Sequence, residues 1–215
     1  MEWIPVNLSE WNRAEHYYHY RENNPCVFSM TAELDITRLY TCLHQSGYKL
    51  YPVLIYGITR IVNQHPELRM GLDKDGNPGY YSHLNPTYTI FHPETEVFSS
   101  LWTTYHDNFS DFYRCYTQDQ ETYGNLPGFS PKPVQEENLL NISCIPWVRF
   151  SSFQLNIGSN YDYLLPIFTI GKYEMREGHR WLPLAMQVHH AACDGFHISR
   201  FYRELQEWMD GFSPV

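Results

Sequence analysis

The 215-residue sequence has little positive charge and no long apolar run. Its 15 Lys and Arg residues are outnumbered by 24 Asp and Glu residues, so the formal net charge is −9 with neutral histidines. This balance disfavours an extended surface for nucleic acid or for an anionic membrane. No stretch approaches the roughly 20 apolar residues that span a bilayer, and the amino terminus, MEWIPVNLSEW, lacks the basic and apolar segments of a signal peptide. We therefore expect a cytoplasmic protein that binds neither nucleic acid nor a membrane.

The five cysteine residues lie far apart, at Cys26, Cys42, Cys115, Cys144 and Cys193. None of them forms a CxxC pair, so the sequence suggests neither a disulfide framework nor a zinc ribbon. Aromatic residues are abundant instead: they make up 17% of the chain and include 18 Tyr. Such an excess is typical of aromatic-lined pockets or of a large subunit interface. With 43% hydrophobic residues, the chain is long enough to form one domain over residues 1–215.

Hydrophobic periodicity predicts both helices and strands. The helices are expected over residues 34–46, 51–66, 99–116 and 198–209. Asp35 would cap the first helix and Gly47 would end it, and Ser99 or Ser100 would cap the third. The strands are expected over residues 139–147, 148–157, 163–173 and 180–190, with a hairpin around the turn DKDGNPG (73–79) and a loop over 122–138. The second and third of these strands could pair around GSN (158–160). These elements predict an α+β fold in which long helices cover a mixed or antiparallel sheet.

The most unusual stretch is QVHHAACDGFH (187–197), at the turn between the last predicted strand and the last predicted helix. One interpretation makes His189, His190, Asp194 and His197 the ligands of a zinc ion. Adjacent strand residues point to opposite faces, however, so the paired histidines cannot easily converge on one ion. A second interpretation makes the histidines a polar patch that satisfies backbone groups around a turn.

A third interpretation makes His190 a general base. It ends an alternating row of apolar residues, Leu184, Met186 and Val188, that looks buried. Imidazole changes its charge near neutral pH, which suits proton transfer. The sequence holds no GxSxG nucleophile elbow and no cysteine in a recognisable protease motif, so the nucleophile would be the substrate itself. His189 points away from the row and is interpreted as structural.

The stretch resembles the signature of the classical trimeric chloramphenicol acetyltransferases, which belong with the HxxxD acyltransferases. A short HxxxD motif alone is weak evidence, but the resemblance continues in order and spacing over nearly the whole chain. The other matching blocks are WNRAEHYYHYR (11–21), LDIT (34–37), KLYPVLIY (49–56), NQHPELRM (63–70), YTIFHPETEVFSSLW (88–102), NISCIPW (141–147), FQLNI (153–157) and PIFTIGKY (166–173). The resemblance implies a two-layer sandwich of the CoA-dependent acyltransferase type, a mixed sheet covered by long helices.

The implied reaction is transfer of the acetyl group of acetyl-CoA to the primary hydroxyl of chloramphenicol, in a ternary complex and without an acyl-enzyme. His190 would be the base, and Ser143 would donate a hydrogen bond to the oxyanion of the tetrahedral intermediate. Thr169 would assist through a bound water. Asp194 would form a buried ion pair with Arg13 and support the base, and loss of one member of such a pair costs about 3–5 kcal/mol.

The resemblance also assigns the binding residues and the partners. The uncharged nitroaromatic acceptor would contact Tyr20, Phe28, Phe98, Phe153, Leu155 and Ile167. Acetyl-CoA would contact Trp147, Lys172, Tyr173 and Lys49. No metal ion is implied. Family members are homotrimers with active sites at subunit interfaces, where one chain supplies the base and the next supplies much of the acceptor pocket.

Two alternative functions keep the same fold. In one, the protein acylates a different hydroxyl compound. In the other, it is a non-catalytic binder that sequesters the drug or CoA. The presence of His190, Ser143, Thr169, Asp194 and Arg13 argues against a binder, because binding alone has no need for a base.

Overall fold

The computed structural model describes residues 2–133, 138–155 and 162–214. The strands of this part of the chain are β1 (Trp3–Pro5), β2 (Val27–Asp35), β3 (Met70–Leu72), β4 (Pro78–Tyr81), β5 (Asn85–His92), β6 (Val97–Trp102), β7 (Leu139–Ile145), β8 (Ile167–Gly171), β9 (Glu174–Arg176) and β10 (His179–His189). The helices are α1 (Ala14–Tyr18), α2 (Thr37–Ser46), α3 (Leu50–Gln64), α4 (Phe109–Tyr123) and α5 (Gly195–Gly211), with a π-helical turn at His19–Asn23 and a 3-10 turn at Pro66–Arg69.

Most of the strands belong to one sheet. Within the described residues its spatial order is β2-β10-β8-β7-β5-β6, and β9 pairs with the start of β10. β7 runs parallel to both β5 and β8, and the other neighbours are antiparallel. A smaller antiparallel sheet has the order β1-β4-β3. The predicted mixed sheet is therefore confirmed. In the small sheet, the β3–β4 hairpin was predicted, whereas its pairing with β1 was not.

The helices pack beside one another on one face of the main sheet. α5 contacts both α2 and α3, and α3 also contacts α4 and β5. Phe201 of α5 packs against Phe168 of β8 with ring centroids 5.0 Å apart, and both side chains are fully buried. The hydroxyl of Tyr202 lies 2.8 Å from the carbonyl oxygens of Met30 and Leu184, which ties α5 to β2 and β10. The expected two-layer α+β arrangement is confirmed. None of the described helices combines the length and apolar character needed to cross a membrane.

Several predicted ends and turns are confirmed. α2 ends at Gly47, whose φ of 77° is a left-handed conformation that glycine adopts without strain. α3 ends just before His65. The turn DKDGNPG joins β3 to β4, which pair in antiparallel fashion as the hairpin prediction requires.

Two predicted helices begin later than the sequence pattern indicates. Residues 34 and 35 belong to β2, because pairing with β10 continues to Asp35; the Asp35 carboxylate accepts a hydrogen bond from the Thr37 backbone at the start of α2. The predicted helix over residues 99–116 is wrong in its first part. Residues 97–102 form β6, which pairs with β5, and α4 begins at Phe109 behind an Asn108 cap instead of a serine.

The predicted strand over residues 148–157 is wrong for its described part, residues 148–155, which contain no strand. This segment crosses the sheet face opposite the helices, where the Leu155 backbone N–H donates to the Gln187 side chain at 3.2 Å instead of to a neighbouring strand. Residues 156, 157 and the GSN turn lie outside the described residues. The predicted strand over 163–173 is shorter, because only Ile167–Gly171 has strand partners.

Candidate active site

His190 follows the last residue of β10, and its ring orientation is fixed by the turn that follows. Nδ1 lies 3.0 Å from the Cys193 carbonyl oxygen. A carbonyl oxygen can only accept, so Nδ1 carries the proton of the neutral ring and Nε2 carries the lone pair. Tyr20 stacks on the ring with centroids 3.8 Å apart and planes at 4°, and Phe28 packs at 4.9 Å. The ring is therefore clamped with its basic nitrogen directed away from the Cys193 carbonyl.

The turn after His190 is stabilised by reciprocal capping of α5. The Asp194 carboxylate accepts from the Phe196 backbone N–H at 3.1 Å, and the Asp194 backbone N–H donates to His197 Nδ1 at 3.0 Å. Arg13 reaches this turn from the start of α1. Its Nη1 donates to Asp194 Oδ2 at 2.6 Å and its Nη2 donates to the His190 carbonyl oxygen at 3.5 Å. Arg13 thus connects the cap of α5 to the backbone of His190.

The predicted Arg13–Asp194 ion pair is present, but it is only partly buried. The side chains retain 17% and 35% of their exposure, so the prediction of a buried pair is wrong and we expect its loss to cost less than a fully buried pair would. Burial of Asp194 opposes ionisation, but the hydrogen bonds from Arg13 and from the Phe196 backbone outweigh it and lower the pKa of the carboxyl. Burial lowers the pKa of His197, which favours the neutral ring that accepts from Asp194.

Ser143 and Thr169 lie side by side on the parallel strands β7 and β8. They are direct partners in the strand register, and their hydroxyl oxygens are 3.0 Å apart. Ser143 Oγ also donates to the Phe168 carbonyl oxygen at 3.2 Å. Thr169 is 2% exposed, whereas Ser143 is half-buried and lines a cavity. The pair therefore presents one accessible hydroxyl, supported by a buried one.

The cavity beside Ser143 has a volume of about 790 Å³. It opens where the parallel strands β5 and β7 stop pairing, after Tyr88 and Ile142. Its walls come from both sides of the sheet. The helices contribute Tyr51, Tyr116 and Gln120 to the lining. The strands β5, β6 and β7 contribute Thr89, Ile90, Phe91, Phe98, Ser143, Cys144 and Ile145. The remaining lining residues are Glu96, just before β6, and Pro146, Trp147, Phe153 and Leu155, which follow β7. Two ligands could therefore meet at Ser143 from opposite faces of the sheet.

His190 does not share this cavity within one chain. Ser143, Thr169 and Ala185 are aligned across β7, β8 and β10. His190 lies five residues beyond Ala185, which is about 17 Å along β10, and Ser143 lies two strands away, which is about 10 Å across the sheet. These distances exceed the reach of a histidine side chain. The chain therefore carries two half-sites: the His190 half-site and the Ser143 half-site.

A family model for chloramphenicol acetyltransferase matches residues 1–206. A chloramphenicol acetyltransferase of Campylobacter coli is 46% identical over 210 residues, which cover 98% of this chain and 100% of that protein. The chain belongs to the chloramphenicol acetyltransferase family.

Solved structures support the fold assignment. A structure of a chloramphenicol acetyltransferase matches with a TM-score of 0.87 at 24% identity and covers 97% of this chain and 100% of that one. The catalytic core of a 2-oxoacid dehydrogenase multienzyme complex from Thermoplasma acidophilum matches with a TM-score of 0.64 at 14% identity, over 91% of this chain and 92% of that one. At these identities the likeness concerns the fold, and it agrees with the predicted CoA-dependent acyltransferase type.

In this member of the chloramphenicol acetyltransferase family, some of the residues predicted to contact the acceptor lie at the Ser143 half-site and others lie at the His190 half-site. Phe98, Phe153 and Leu155 line the cavity at the Ser143 half-site. Tyr20 and Phe28 pack on the imidazole of the His190 half-site. Ile167 is 5% exposed and lies in β8, two residues before Thr169; it is not among the cavity-lining residues of the described chain.

The residues predicted to contact CoA lie near the carboxyl ends of β7 and β8, with one exception. Trp147 lines the cavity and is 59% exposed. Lys172 and Tyr173 directly follow β8, and the Lys172 backbone N–H donates to the Val148 carbonyl oxygen at 3.1 Å. Lys49 is exposed and precedes α3, where its backbone N–H donates to the Tyr113 hydroxyl. The structure thus groups Trp147, Lys172 and Tyr173 and leaves Lys49 on a different element.

Sequence reasoning missed several parts of the site. The Cys193 carbonyl that orients His190 has no side-chain signature, so no motif could have identified it. Tyr51 and Tyr116 lie in segments for which the sequence predicts only helices, yet both line the cavity. Cys144, next to Ser143, also lines it, and burial raises the pKa of its thiol to about 11, so this thiol is protonated at neutral pH.

Proposed function

We propose that this protein transfers the acetyl group of acetyl-CoA to the primary hydroxyl of chloramphenicol and thereby inactivates the antibiotic. Membership of the chloramphenicol acetyltransferase family over nearly the whole chain supports the acceptor and the reaction class. The observation that carries the chemistry is the imidazole of His190, whose Nδ1–H is held by the Cys193 carbonyl oxygen. This contact leaves Nε2 as a fixed acceptor for a proton.

The proposed mechanism uses one base and one oxyanion donor. Nε2 of His190 removes the proton of the primary hydroxyl while that oxygen attacks the thioester carbonyl of acetyl-CoA. The Ser143 hydroxyl turns away from the Phe168 carbonyl oxygen and donates its proton to the oxyanion of the resulting tetrahedral intermediate, and Thr169 assists through a water. When the intermediate collapses, the C–S bond breaks and protonated His190 returns its proton to the CoA thiolate. Acetylated chloramphenicol and CoA are released, and no acyl-enzyme forms.

We further propose a homotrimer with each active site between two subunits. The separation of the His190 and Ser143 half-sites within one chain supports an active site between subunits, because the reaction requires both groups at one acetyl group. The base would come from one subunit and the Ser143 cavity from the next. β2 is an edge strand of the described sheet, with β10 as its neighbour, and it lies beside His190, so a second subunit could approach there.

The remaining site residues have binding and positioning roles in this proposal. Arg13 and Asp194 hold the turn that carries His190 and do not exchange the proton. The acceptor occupies the cavity from the side of Phe153 and Leu155 and meets the Tyr20 and Phe28 rings of the adjacent subunit. Ile167 also belongs to the acceptor site in this assembly. Acetyl-CoA enters from the helical face, past Trp147, Lys172 and Tyr173, with Lys49 as a more distant contact, and no metal ion takes part.

Two broader expectations complete the proposal. The whole chain acts as one domain, which is supported by a core cluster that includes residues from all of the helices described. The protein works in the cytoplasm, where acetyl-CoA is available.

The proposal is tested by following the release of free CoA thiol from acetyl-CoA. We expect release that depends on chloramphenicol, together with formation of the 3-acetyl ester. The matched control acceptor carries fluorine in place of the primary hydroxyl and should release no thiol, since it has no oxygen to attack the thioester at that position. Absence of release with chloramphenicol would contradict the proposed acceptor. A screen of other hydroxyl compounds would then distinguish a different acyltransferase from a binder.

A further inference from the structure

An ion pair between Lys132 and Asp119 joins the chain that follows α4 to α4 itself. Lys132 Nζ donates to Asp119 Oδ1 at 2.7 Å, and each side chain is only 13% exposed. This pair is more deeply buried than the pair of Arg13 with Asp194. Nζ also donates to the Trp102 carbonyl oxygen at 3.0 Å and lies 3.9 Å from the centre of the Trp102 ring. A carboxylate, a carbonyl oxygen and an aromatic ring therefore hold the ammonium group together.

The Asp119 carboxylate extends this contact into the main sheet. Its Oδ2 accepts from the Thr103 hydroxyl at 2.7 Å, and the Thr103 hydroxyl oxygen lies 2.8 Å from the Tyr88 hydroxyl. Because the single hydroxyl proton of Thr103 is given to the carboxylate, Tyr88 donates to Thr103. Both of these side chains are fully buried. A chain of hydrogen bonds therefore ties Lys132 to β5, and every group in this chain has a partner.

The segment that follows α4, residues 124–133, runs beside β6 and is named the Phe129 segment. The Phe129 carbonyl oxygen accepts a hydrogen bond from the Ser100 backbone N–H at 2.6 Å. The Phe129 ring packs edge-on against Phe98 of β6, with centroids 5.8 Å apart and planes at 70°. Phe98 in turn lines the cavity at the Ser143 half-site. The Phe129 segment therefore supports a wall residue of that cavity.

Side-chain packing contributes little to the position of the Phe129 segment. The Phe129 ring is 65% exposed. A second cavity, of about 600 Å³, separates residues 125–129 from the turn between β5 and β6, which contributes His92, Glu94, Thr95 and Val97 to its lining. The far end of the segment is fixed instead by polar contacts, since Trp102 Nε1 donates to the Pro133 carbonyl oxygen at 3.0 Å beside the ion pair of Lys132. Backbone hydrogen bonds and this ion pair must then determine where Phe129 lies.

We propose that Lys132 is a positioning residue for the acceptor: its ion pair with Asp119 holds Phe129 against Phe98 at the wall of the cavity. The inference rests on the proposed acetyl transfer, in which Phe98 contacts the acceptor. Lys132 is not among the described residues that line either cavity, so it acts through Phe129 and Phe98. The ion pair alters the wall of the acceptor site and neither the base nor the oxyanion donor. It therefore determines how tightly the acceptor binds and not how fast the acetyl group is transferred.

The test compares the steady-state kinetics of the wild type, Lys132→Met, Phe129→Ala and the double variant. Lys132→Met removes the charge and retains much of the length of the side chain. We expect it to raise the KM for chloramphenicol about fivefold, because Asp119 loses its cation and the Phe129 segment loses its anchor. The KM for acetyl-CoA and the kcat should change less than about twofold, since binding of the acceptor alone is altered.

Phe129→Ala and the double variant show whether Lys132 acts through Phe129. Because Phe129 is largely exposed, its truncation should leave the fold intact and should raise the KM for chloramphenicol about fivefold. The double variant should match Phe129→Ala within about twofold, since the anchor then has no ring to position. Rises in KM that multiply in the double variant, an unchanged KM in either single variant, or a loss confined to kcat would overturn the assignment.

The matched control for Lys132→Met is Arg114→Met. Arg114 is also a cation that pairs with a carboxylate of α4, that of Asp111, but these side chains are 73% and 45% exposed. Such a surface pair contributes little, so we expect unchanged KM values and an unchanged midpoint of thermal unfolding. Thermal unfolding of Lys132→Met and of the double variant checks that both are folded at the assay temperature.

Amide hydrogen exchange separates this inference from the proposed function, because it needs no acceptor. Peptides that cover residues 124–133 should exchange faster in Lys132→Met than in the wild type or in Arg114→Met. If exchange is faster but the wild type releases no thiol with chloramphenicol, the anchor stands and the proposed acceptor fails. If the wild type acetylates chloramphenicol but Lys132→Met changes neither the exchange nor the KM, the assignment of Lys132 alone fails.

Discussion

His190→Asn is expected to lower the kcat for chloramphenicol acetylation about 10³–10⁴-fold, in the upper range for loss of a general base. Asparagine can still donate from its side-chain amide toward the Cys193 carbonyl oxygen, which is the contact that His190 Nδ1 makes. It has no group that can accept a proton at the position of Nε2. The substitution therefore removes the base while it retains the local hydrogen bond.

Steady-state thiol release measures this effect, and two further variants complete the experiment. His190→Ala should be as inactive as His190→Asn, because both lack the base. His44→Ala removes an exposed histidine from the last turn of α2 and should leave kcat unchanged. Retention of more than about a tenth of wild-type kcat by His190→Asn would exclude His190 as the base.

Ser143→Ala is expected to lower kcat about 10²-fold, which is the usual effect of removing one oxyanion donor. The KM values for chloramphenicol and acetyl-CoA should change little, because the hydroxyl acts on the tetrahedral intermediate and not on the bound substrates. The fold should tolerate the change. Ser143 is half-buried, and its loss leaves the Thr169 hydroxyl without its 3.0 Å partner, at a cost of about 1–2 kcal/mol in the free energy of unfolding.

The matched control for Ser143→Ala is Ser46→Ala. Ser46 is exposed at the end of α2, and its hydroxyl donates to the Cys42 carbonyl oxygen of the same helix. Its removal should leave both kinetic constants unchanged. If Ser143→Ala raised KM at constant kcat, Ser143 would be a substrate-binding residue and the oxyanion donor would have to be sought elsewhere in the cavity.

The elements that sequence predicted well depend on local rules. The end of α2 requires only that Gly47 adopt a left-handed conformation, and the β3–β4 hairpin requires only a favourable turn. β6 is different. Its residues fit a helical period, but pairing with β5 decides its structure: Ser99 and Leu101 are fully buried, whereas Phe98 is 51% exposed, as alternation in a strand requires.

Within the site, too, the sequence predicted the parts that depend on contacts between nearby residues and missed the parts that depend on strand pairing. The turn after His190 could be located from QVHHAACDGFH, because capping of α5 by Asp194 and His197 is a contact between residues close in sequence. The cavity could not be located, because it depends on where the parallel strands β5 and β7 cease to pair. The separation of His190 from Ser143 also follows from the order of the strands in the sheet. That order cannot be predicted from the hydrophobic periodicity of individual elements.

Acetyl transfer at a site built from two chains can be tested with two variants that each lack one half-site. Mixed assembly tests it most directly: equal amounts of the His190→Asn and Ser143→Ala chains are unfolded, combined and refolded, and chloramphenicol-dependent thiol release is measured. With random assortment in a trimer, about a quarter of the interfaces combine an intact His190 from one chain with an intact Ser143 from the next. We expect recovery of about a quarter of wild-type activity. Activity that stays at the average of the two variants refolded separately would contradict it, since His190 and Ser143 would then have to act within the same chain.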